Sequence, residues 1–443
     1  MTDREANSRS LAQTGIFYSL IGMGDAIIWE VINSWQNYYY FPPDGVALIP
    51  VGFLYGLLMT LNALIDIAVK LPIGHWSDRT RTRWGRRLPF MFVAGLPRLL
   101  LFILIWTPPH QSKSTLNLYY LAAILIIHNV VASFQHVPNE ALLPELGQTD
   151  QERVKLSAWA GILPPVGLMI GSFAGIGIEH WGYLPTVMIY ALLTLPLFYL
   201  PFLVLRERPD SKIDTRKQFS MRESFQLIRK NRPFLVYTTA NTLSMSGQTL
   251  IHSMFPFIVT ELLLLTPGDT VYFYVAGLAT TLLVYLTATR LTKRWGKRRV
   301  FYANLLISIL VGPMLLLFGE WMSIPRIIPG LIWAAILGLT TGGATVLKAA
   351  FMGEIIEYDA QLTGQRREGA YYAALDFINE IMYNTVAIIL PVLLVLGRDA
   401  TGPRGPLGIK IAGVLGGLAA LTALIIFQSY RVPTINRERA AIS

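Results

Sequence analysis

Cysteine is absent from the 443-residue sequence, and charged residues make up only 14% of it. The missing cysteine excludes a disulfide framework, a thiol nucleophile and a thiolate metal site. The shortage of charge excludes an ordinary soluble protein, in which about 25% of residues are charged. Hydrophobic residues make up 53% of the chain, and its mean hydropathy is +0.47. The composition therefore indicates a membrane protein.

Sequence signatures of catalysis are also missing. The chain contains no HExxH, GxSxG, P-loop or CxxC motif, and its six histidines show no metal-ligand spacing. We therefore expect no enzyme activity, no cofactor and no bound metal. A channel is disfavoured as well, because a single chain supplies poorly the rings of repeated polar residues that a channel needs. The polar N-terminal segment, residues 1–15, has mixed charge and does not resemble a cleavable signal peptide.

Apolar runs long enough to cross the roughly 30 Å hydrocarbon layer recur along the whole chain. They predict an all-α membrane protein with twelve transmembrane helices in two six-helix bundles, residues 1–205 and 233–443. Between the bundles, residues 206–232 form a predicted cytoplasmic linker, in which a capping box at Ser220 and Glu223 indicates a short amphipathic helix. The predicted spans are roughly Gly15–Tyr40, Val46–Trp76, Leu88–Thr107, Leu118–Leu143, Val154–Ile178, Leu184–Leu205, Phe234–Leu264, Val271–Leu291, Val300–Phe318, Ile327–Met352, Gly369–Leu396 and Leu407–Phe427.

The formal charge of +10 does not indicate a nucleic-acid partner, because the Lys and Arg residues cluster in short turns between apolar runs. This distribution is typical of cytoplasmic loops. It places both termini on the cytoplasmic side of a multi-pass protein in the cell (inner) membrane. The basic turns are Arg79–Arg87, Arg153–Lys155, Arg206–Arg232, Lys293–Arg299 and Gln365–Arg367.

One of these basic turns has an echo in the other half of the chain. Arg83-Trp-Gly-Arg-Arg87 follows the second span, and Arg294-Trp-Gly-Lys-Arg298 follows the eighth. An internal repeat at the same place in each half is typical of transporters built from two parallel six-helix bundles, with a site between the bundles.

Ionisable residues inside the apolar spans are costly and usually mark a function or a structural ion pair. Asp25, Asp66, Lys70, Asp376 and Glu380 lie deepest in their runs, and both Asp66/Lys70 and Asp376/Glu380 are four residues apart on one helix face. Simpler interpretations suit the others. Glu30, Glu140 and Lys348 lie near span ends, where a charged head group can reach the membrane interface. A lone histidine, such as His128, usually packs through a hydrogen bond, and Arg98, beside Pro97, is expected to bind a loop carbonyl.

Several motifs together resemble the glycoside–pentoside–hexuronide:cation symporters of the major facilitator superfamily. They are Asp25, the stretch from Asp66 through DRTRTRWGRRLPF, Pro138–Leu146 with Asp150 and Arg153, and Tyr358-Asp359 leading to the TGQRREG turn at Thr363–Gly369. The resemblance covers both halves and implies the major facilitator fold, with transport by alternating access.

Two departures from the family pattern concern coupling. Where the family's second span usually carries two cation-binding aspartates, this chain has Asp66 and Lys70, and where its eleventh span usually carries lysine, this chain has Glu380. Acid and base are exchanged between the two helices, which suggests a Lys70–Glu380 pair. A tethered ammonium in place of the second aspartate favours proton coupling, or none, over sodium coupling.

The resemblance also suggests roles for individual residues. Asp25 matches a sugar-binding aspartate, His136 stands where the family has a second one, and no arginine near Trp159–Gly161 matches the family's arginine of the fifth span. The candidate substrate-binding residues are Asp25, Trp29, His136, Trp159 and Tyr372. The coupling or gating candidates are Asp66, Lys70, Asp376 and Glu380. The candidate cytoplasmic gate comprises Asp78, Arg79, Arg83, Arg86, Arg153, Arg366 and Arg367.

The sequence therefore predicts a secondary active transporter that moves a small solute, a sugar or glycoside, across the cytoplasmic membrane. Its expected partners are the substrate, a coupling proton and the lipid bilayer, and we expect a monomer. Two alternatives stay open. One is an amphiphile or lysolipid transporter of the same fold, and the other is a sensor on this scaffold that binds a solute without transporting it.

Overall fold

The computed structural model describes residues 3–43, 47–50, 53–147, 149, 152, 155–156, 159–207, 231–319, 325–363, 368–396 and 407–432. These residues are almost entirely helical, with one isolated β-bridge between Thr82 and Gly85. The described α-helices of four residues or more are α1 (Asp3–Tyr40), α2 (Phe53–Arg79), α3 (Leu88–Leu104), α4 (Thr115–Leu146), α5 (Leu163–Ser172), α6 (Ala174–Trp181), α7 (Tyr183–Tyr199), α8 (Pro201–Val204), α9 (Arg232–Ser253), α10 (Thr270–Trp295), α11 (Lys297–Val311), α12 (Ile327–Thr363), α13 (Glu368–Val395) and α14 (Leu407–Phe427).

Among the described residues, eight helical segments are long and apolar enough to cross a membrane. The 17-residue helix α3 is apolar but shorter. The prediction of an all-α membrane protein is therefore confirmed, whereas the count of twelve spans stays a prediction. The fifth and sixth predicted spans are each interrupted, at Phe173 between α5 and α6 and at Leu200 between α7 and α8.

Local sequence explains where several helices begin. The Ser114 hydroxyl caps α4 by accepting a 3.1 Å hydrogen bond from the Leu116 amide. The Asn231 side chain caps α9 in the same way, accepting a 3.1 Å hydrogen bond from Phe234 N–H. Both caps satisfy amides that have no partner within the first turn of a helix. Gly182, at a φ of 79°, separates α6 from α7 because only glycine adopts this conformation without strain.

The chain forms two compact units. The first consists of Met1–Ile213, Phe255–Tyr274 and Arg398–Arg404, and the second of Asp214–Met254, Val275–Gly397 and Gly405–Ser443. The division at Ile213 falls inside the predicted linker. The assignment of Phe255–Tyr274 to the first unit differs from the predicted bundle of residues 233–443. Most of the linker, including Ser220 and Glu223, lies outside the described residues.

Segment Phe255–Tyr274 joins the first unit through polar and aromatic contacts. Gly268 N–H donates a 2.7 Å hydrogen bond to the Glu179 carboxylate at the end of α6. The Tyr274 hydroxyl lies 2.8 Å from the Ser34 hydroxyl of α1. The Tyr38 and Phe257 rings are also in contact, with centroids 5.0 Å apart. These contacts explain why the segment packs with helices that lie far from it in sequence.

Each unit has its own hydrophobic core. In the first, Tyr18 and Ile21 of α1 pack with Leu88 and Met91 of α3 and Leu142 of α4. The core of the second unit is richer in aromatic residues. There the Tyr237 ring stacks on Phe351 with centroids 4.7 Å apart, and the Phe427 and Tyr430 rings stack at 5.2 Å. These cores hold the helices that carry the polar residues described next.

Candidate functional site

Asp25 belongs to a buried polar cluster that joins three helices of the first unit. Its carboxylate forms an ion pair with the Arg98 guanidinium of α3. The same guanidinium nitrogen donates a 2.8 Å hydrogen bond to the Gln135 amide oxygen of α4. Only 7% of the Arg98 side chain and 16% of the Asp25 side chain are exposed. The interpretation of Arg98 as a partner of a loop carbonyl is therefore wrong, because it binds Asp25 instead.

This cluster still contains polar atoms without a partner. Among the described residues, no hydrogen-bond partner reaches the buried nitrogens Arg98 Nε and Gln135 Nε2 of this cluster. A buried donor without a partner costs free energy, and a polar ligand or a water molecule can satisfy it. The Arg98 guanidinium also lies over the Phe198 ring, 5.3 Å from its centroid. The cluster thus combines an ion pair, unsatisfied donors and an aromatic face.

A second ion pair lies on α2. Lys70 Nζ is 2.7 Å from the Asp66 carboxylate, and the two side chains are 35% and 18% exposed. One turn before Asp66, the Asn62 side chain accepts a 3.1 Å hydrogen bond from Asn129 of α4. Lys70 therefore places its ammonium directly on the carboxylate that the family resemblance identifies with cation binding. The suggested Lys70–Glu380 pair joins residues of different units and stays a prediction.

The remaining substrate-binding candidates lie outside the Asp25 cluster or at its edge. Trp29 is half exposed, one helical turn from Asp25 on α1. His136 is also exposed, and its Nδ1 lies 3.8 Å from the Glu140 carboxylate, so the α4 residue that reaches the cluster is its neighbour Gln135. The Trp159 ring packs closely on Gly15 of α1. Tyr372, on α13, belongs to the second unit and is partly exposed.

The coupling or gating candidates of the second unit, Asp376 and Glu380, lie on α13. Asp376 of α13 lies 3.5 Å from Lys348 of α12, with the carboxylate side chain 67% exposed. Glu380, one turn further along α13, is partly buried. Because Lys348 binds an acid of the same unit, the interpretation of a cation that simply reaches the interface does not describe its geometry.

The candidate cytoplasmic gate centres on Arg87, the last residue of the first basic turn. Arg87 forms 2.9 Å ion pairs with Asp78 of α2 and Glu145 of α4, and both Arg87 and Glu145 are almost completely buried. Arg86 also pairs with Glu145. The gate prediction included Asp78 and Arg86 but not Arg87 or Glu145.

Among the described residues, the other predicted gate residues, Arg79 and Arg83, lie on the surface near this cluster. Arg79 is exposed in the last turn of α2, where a cation complements the negative end of the helix dipole. Arg83 is exposed and lies over the Trp84 ring at 5.8 Å. The last three members, Arg153, Arg366 and Arg367, lie outside the described residues.

Glu207, just after α8, fixes the backbone of the same turn. Its carboxylate accepts hydrogen bonds from three consecutive amides, those of Arg86 at 2.6 Å, Arg87 at 2.7 Å and Leu88 at 2.6 Å. These amides begin α3, where unpaired N–H groups and the helix dipole favour a negative charge. Glu207 therefore connects the first residues after the sixth predicted span to the turn between the second and third.

The echoed turn of the second unit has a corresponding ion pair. Lys297, which follows Gly296, lies 2.8 Å from the Glu354 carboxylate of α12. Arg86, which follows Gly85, pairs with Glu145 of α4. In the second unit the Tyr430 hydroxyl also donates a 2.7 Å hydrogen bond to Glu354. Burial, together with this carboxylate, raises the pKa of Tyr430 well above its ordinary value, so the hydroxyl stays protonated and can donate.

Comparison with known proteins identifies the family. A family model described as "MFS/sugar transport protein" matches residues 17–428. The chain belongs to this family. It is a transporter of the major facilitator superfamily, and the resemblance to the glycoside–pentoside–hexuronide:cation symporters is confirmed.

Individual relatives of the transporter are distant but cover most of its length. It is 25% identical to the isoprimeverose transporter of Lactiplantibacillus pentosus over 80% of this chain and 73% of that protein. It is 24% identical to the glucuronide carrier protein homolog of Escherichia coli (strain K12) over 94% of this chain and 92% of the relative.

Solved structures show the same fold. The nucleoside transporter NupG superimposes with a TM-score of 0.65 at 11% identity, covering 94% of this chain and 98% of that structure. A bacterial homolog of the human lysosomal transporter Spinster gives a TM-score of 0.64 at 12% identity, with 97% of each chain covered. At these identities the likeness supports the major facilitator fold alone.

Proposed function

We propose that this transporter carries a sugar or glycoside across the cytoplasmic membrane by alternating access, through twelve spans with both termini in the cytoplasm. The observation that carries the substrate class is the Asp25–Arg98–Gln135 cluster. A carboxylate, a guanidinium and an amide together accept and donate hydrogen bonds, as the hydroxyl groups of a sugar require. The unsatisfied donors Arg98 Nε and Gln135 Nε2 would find acceptors in those hydroxyls.

The relatives support the same substrate class, since their names specify an isoprimeverose transporter and a glucuronide carrier homolog. Transport rather than catalysis is the proposed activity. It is coupled either to a proton or to no ion. Sodium is disfavoured because the Lys70 ammonium already lies on the Asp66 carboxylate. In this proposal the cluster around Arg87 and Glu145 opens and closes the cytoplasmic side.

Uptake into proteoliposomes tests the proposal. Purified protein is reconstituted, and entry of radiolabelled methyl glycosides is measured with an inward proton gradient, with an inward sodium gradient and with neither. We expect saturable uptake of at least one glycoside, and its loss in Arg98→Ala. Failure to transport any member of a panel of gluco-, galacto- and xylosides, by protein that elutes as a folded species, would contradict the proposed substrate class.

A further inference from the structure

Among the described residues of the predicted spans of α1 to α4, both permanent cations are paired with a carboxylate. Arg98 is paired with Asp25, and Lys70 is paired with Asp66. Two further carboxylates lie in the same spans. Glu30 accepts a 2.7 Å hydrogen bond from the Ser34 hydroxyl, and Glu140 lies beside His136. Among the described residues of α1 to α4 that lie in the predicted spans, acids therefore outnumber permanent cations.

This balance distinguishes between two classes of glycoside. A neutral glycoside brings only hydroxyl groups, which can bond to the cluster without adding charge. A glycuronide brings a carboxylate, and a buried carboxylate needs a cation that is not already neutralised. In this cluster the one cation, Arg98, already binds Asp25, and only 7% of its side chain is exposed. The anion would therefore have to displace Asp25 or remain uncompensated.

We propose that Asp25 determines the charge selectivity of the site: with Asp25 in place it accepts uncharged glycosides and rejects glycuronides. Replacing Asp25 by asparagine removes the internal anion and leaves Arg98 to bind a carboxylate from the ligand, which a guanidinium does with two parallel hydrogen bonds. This inference rests on the proposed function. It also distinguishes this transporter from the Escherichia coli relative, whose name specifies a glucuronide carrier homolog.

The wild-type protein gives the first test. Proteoliposome uptake is compared for methyl β-D-glucoside and methyl β-D-glucuronide, and for the galactoside and galacturonide, because each pair differs only at C6. We expect the neutral member to enter roughly tenfold faster or more than its uronide. Equal uptake of the two members would overturn the charge selectivity and leave the proposed function intact. Uptake of no member of either pair or of the xyloside would refute the proposed function itself.

The variant Asp25→Asn gives the second test. We expect its preference to shift toward the uronides by roughly tenfold or more, and methyl β-D-glucuronide to raise its thermal unfolding temperature in detergent, which requires no transport. In the double variant Asp25→Asn/Arg98→Gln, which also lacks the guanidinium, methyl β-D-glucuronide should no longer raise the unfolding temperature. As a matched control, Asp66→Asn removes a carboxylate from the other ion pair. Methyl β-D-glucuronide should not raise the unfolding temperature of this variant, a measurement that requires no transport.

Folded Asp25→Asn protein that shows neither the shift nor the stabilisation would overturn the proposal. So would the same stabilisation of Asp66→Asn by the uronide, since it would show that any unpaired cation in the unit suffices. Because the single variant leaves a buried guanidinium unpaired, it can fail to fold. In that case two measurements still decide the proposal. Equal wild-type uptake of the two members of a pair would overturn it, and so would stabilisation of the double variant, which has neither charge, by methyl β-D-glucuronide.

Discussion

The Asp66–Lys70 pair shows how one side chain can change what a site binds. Sodium prefers a set of convergent oxygen ligands, such as carboxylates and carbonyls. Here the ammonium of Lys70 lies 2.7 Å from the carboxylate that would supply such oxygens. An ammonium and a sodium ion within about 4 Å repel each other strongly in a medium of low dielectric. The lysine therefore acts as a cation fixed to the protein.

Because of this fixed cation, we expect that sodium does not stimulate uptake by the wild-type protein. Lys70→Asp should introduce a sodium response, because it removes the fixed cation and restores a second carboxylate beside Asp66. Initial uptake rates at equal ionic strength, with sodium replaced by choline, measure the effect. Lys70→Met serves as the control that removes the charge without adding an oxygen ligand. Sodium-stimulated uptake in the wild type that is lost in Asp66→Asn would show the interpretation to be wrong.

Single residues of the site differ in how well the sequence predicts them. Asp25 and Asp66 stand out because charge in an apolar run is costly, and Lys70 stands out because of its spacing from Asp66. The sequence places Arg98 inside an apolar span. Nothing local in the sequence indicates that the packing of α1, α3 and α4 brings it to Asp25 and Gln135. Glu207 is one acid in a charged stretch, and its three amide partners lie about 120 residues earlier. Contacts that depend on helix packing do not follow from spacing along one helix.

Among the elements, the turn from Arg83 to Arg87 depends on a glycine. Gly85 has a φ of 109°, and a Cβ built there would lie 2.5 Å from the Glu207 carboxylate carbon. Gly296 of the echoed turn has a φ of 79°, but a Cβ there would meet no atom within 4 Å. The two turns share a backbone requirement, and only the first also lacks space for a side chain.

We expect Gly85→Ala to be more destabilising than Gly296→Ala. Both variants strain the left-handed backbone, which costs roughly 1–2 kcal/mol, but only Gly85→Ala also displaces Glu207 from the start of α3. Thermal unfolding of each variant in detergent, followed by fluorescence-detected size-exclusion chromatography, measures the difference. Equal losses of stability for the two variants would indicate that Glu207 moves aside without cost.

The contribution of Glu207 itself can be measured by Glu207→Gln. The amide keeps one acceptor oxygen but loses the charge and the second oxygen that the three backbone amides share. Because hydrogen bonds to a charged group contribute about 1.5–3 kcal/mol, we expect a clear fall in the unfolding temperature and a change in uptake rate. The control Glu357→Gln alters an exposed glutamate of α12 whose carboxylate accepts a 3.3 Å hydrogen bond from Gln361. Similar effects of both substitutions would contradict a specific role of Glu207.

Elements were predicted well where hydropathy decides them and poorly where local geometry does. Long apolar runs gave helices α1, α2, α4, α12 and α14, because a backbone in lipid must satisfy its own hydrogen bonds. The breaks at Phe173 and Leu200 were not predicted. A proline follows the second break, but prolines also lie within intact α2, α3 and α13. Proline alone therefore does not locate an interruption.

For the whole molecule, the distribution of basic turns predicts the orientation in the membrane. Residues 206–232 should be cytoplasmic, while residues 41–45 and 397–408 should face outside. Because the chain has no cysteine, Ser211→Cys, Asp44→Cys and Asp399→Cys each introduce a single reactive thiol. An impermeant maleimide added to intact cells should label the last two and not the first. Labelling of Ser211→Cys from outside would overturn the orientation, and lysed cells provide the control for reactivity.

Family and fold could be predicted for the whole molecule because many weak signals agree along its length. The placement of residues 255–274 does not follow from the sequence, because they come directly after α9 along the chain but pack with α1 and α6. A sequence pattern assigns a segment to the neighbours that precede and follow it. The contacts of Tyr274 and Gly268 arise from distant helices and depend on the folded bundle.

The two left-handed glycines also provide a reference point for aligning the two halves of the chain. If the halves descend from one duplicated ancestor, aligning Gly85 with Gly296 fixes the register between the copies. That register places Asp66 opposite Gly277 and Arg98 opposite Ile309. The first half carries a charge at each of these positions, and the second half has none there. The halves therefore share the backbone of the turn but not the charges of the candidate site, which belong to the first half alone at these positions.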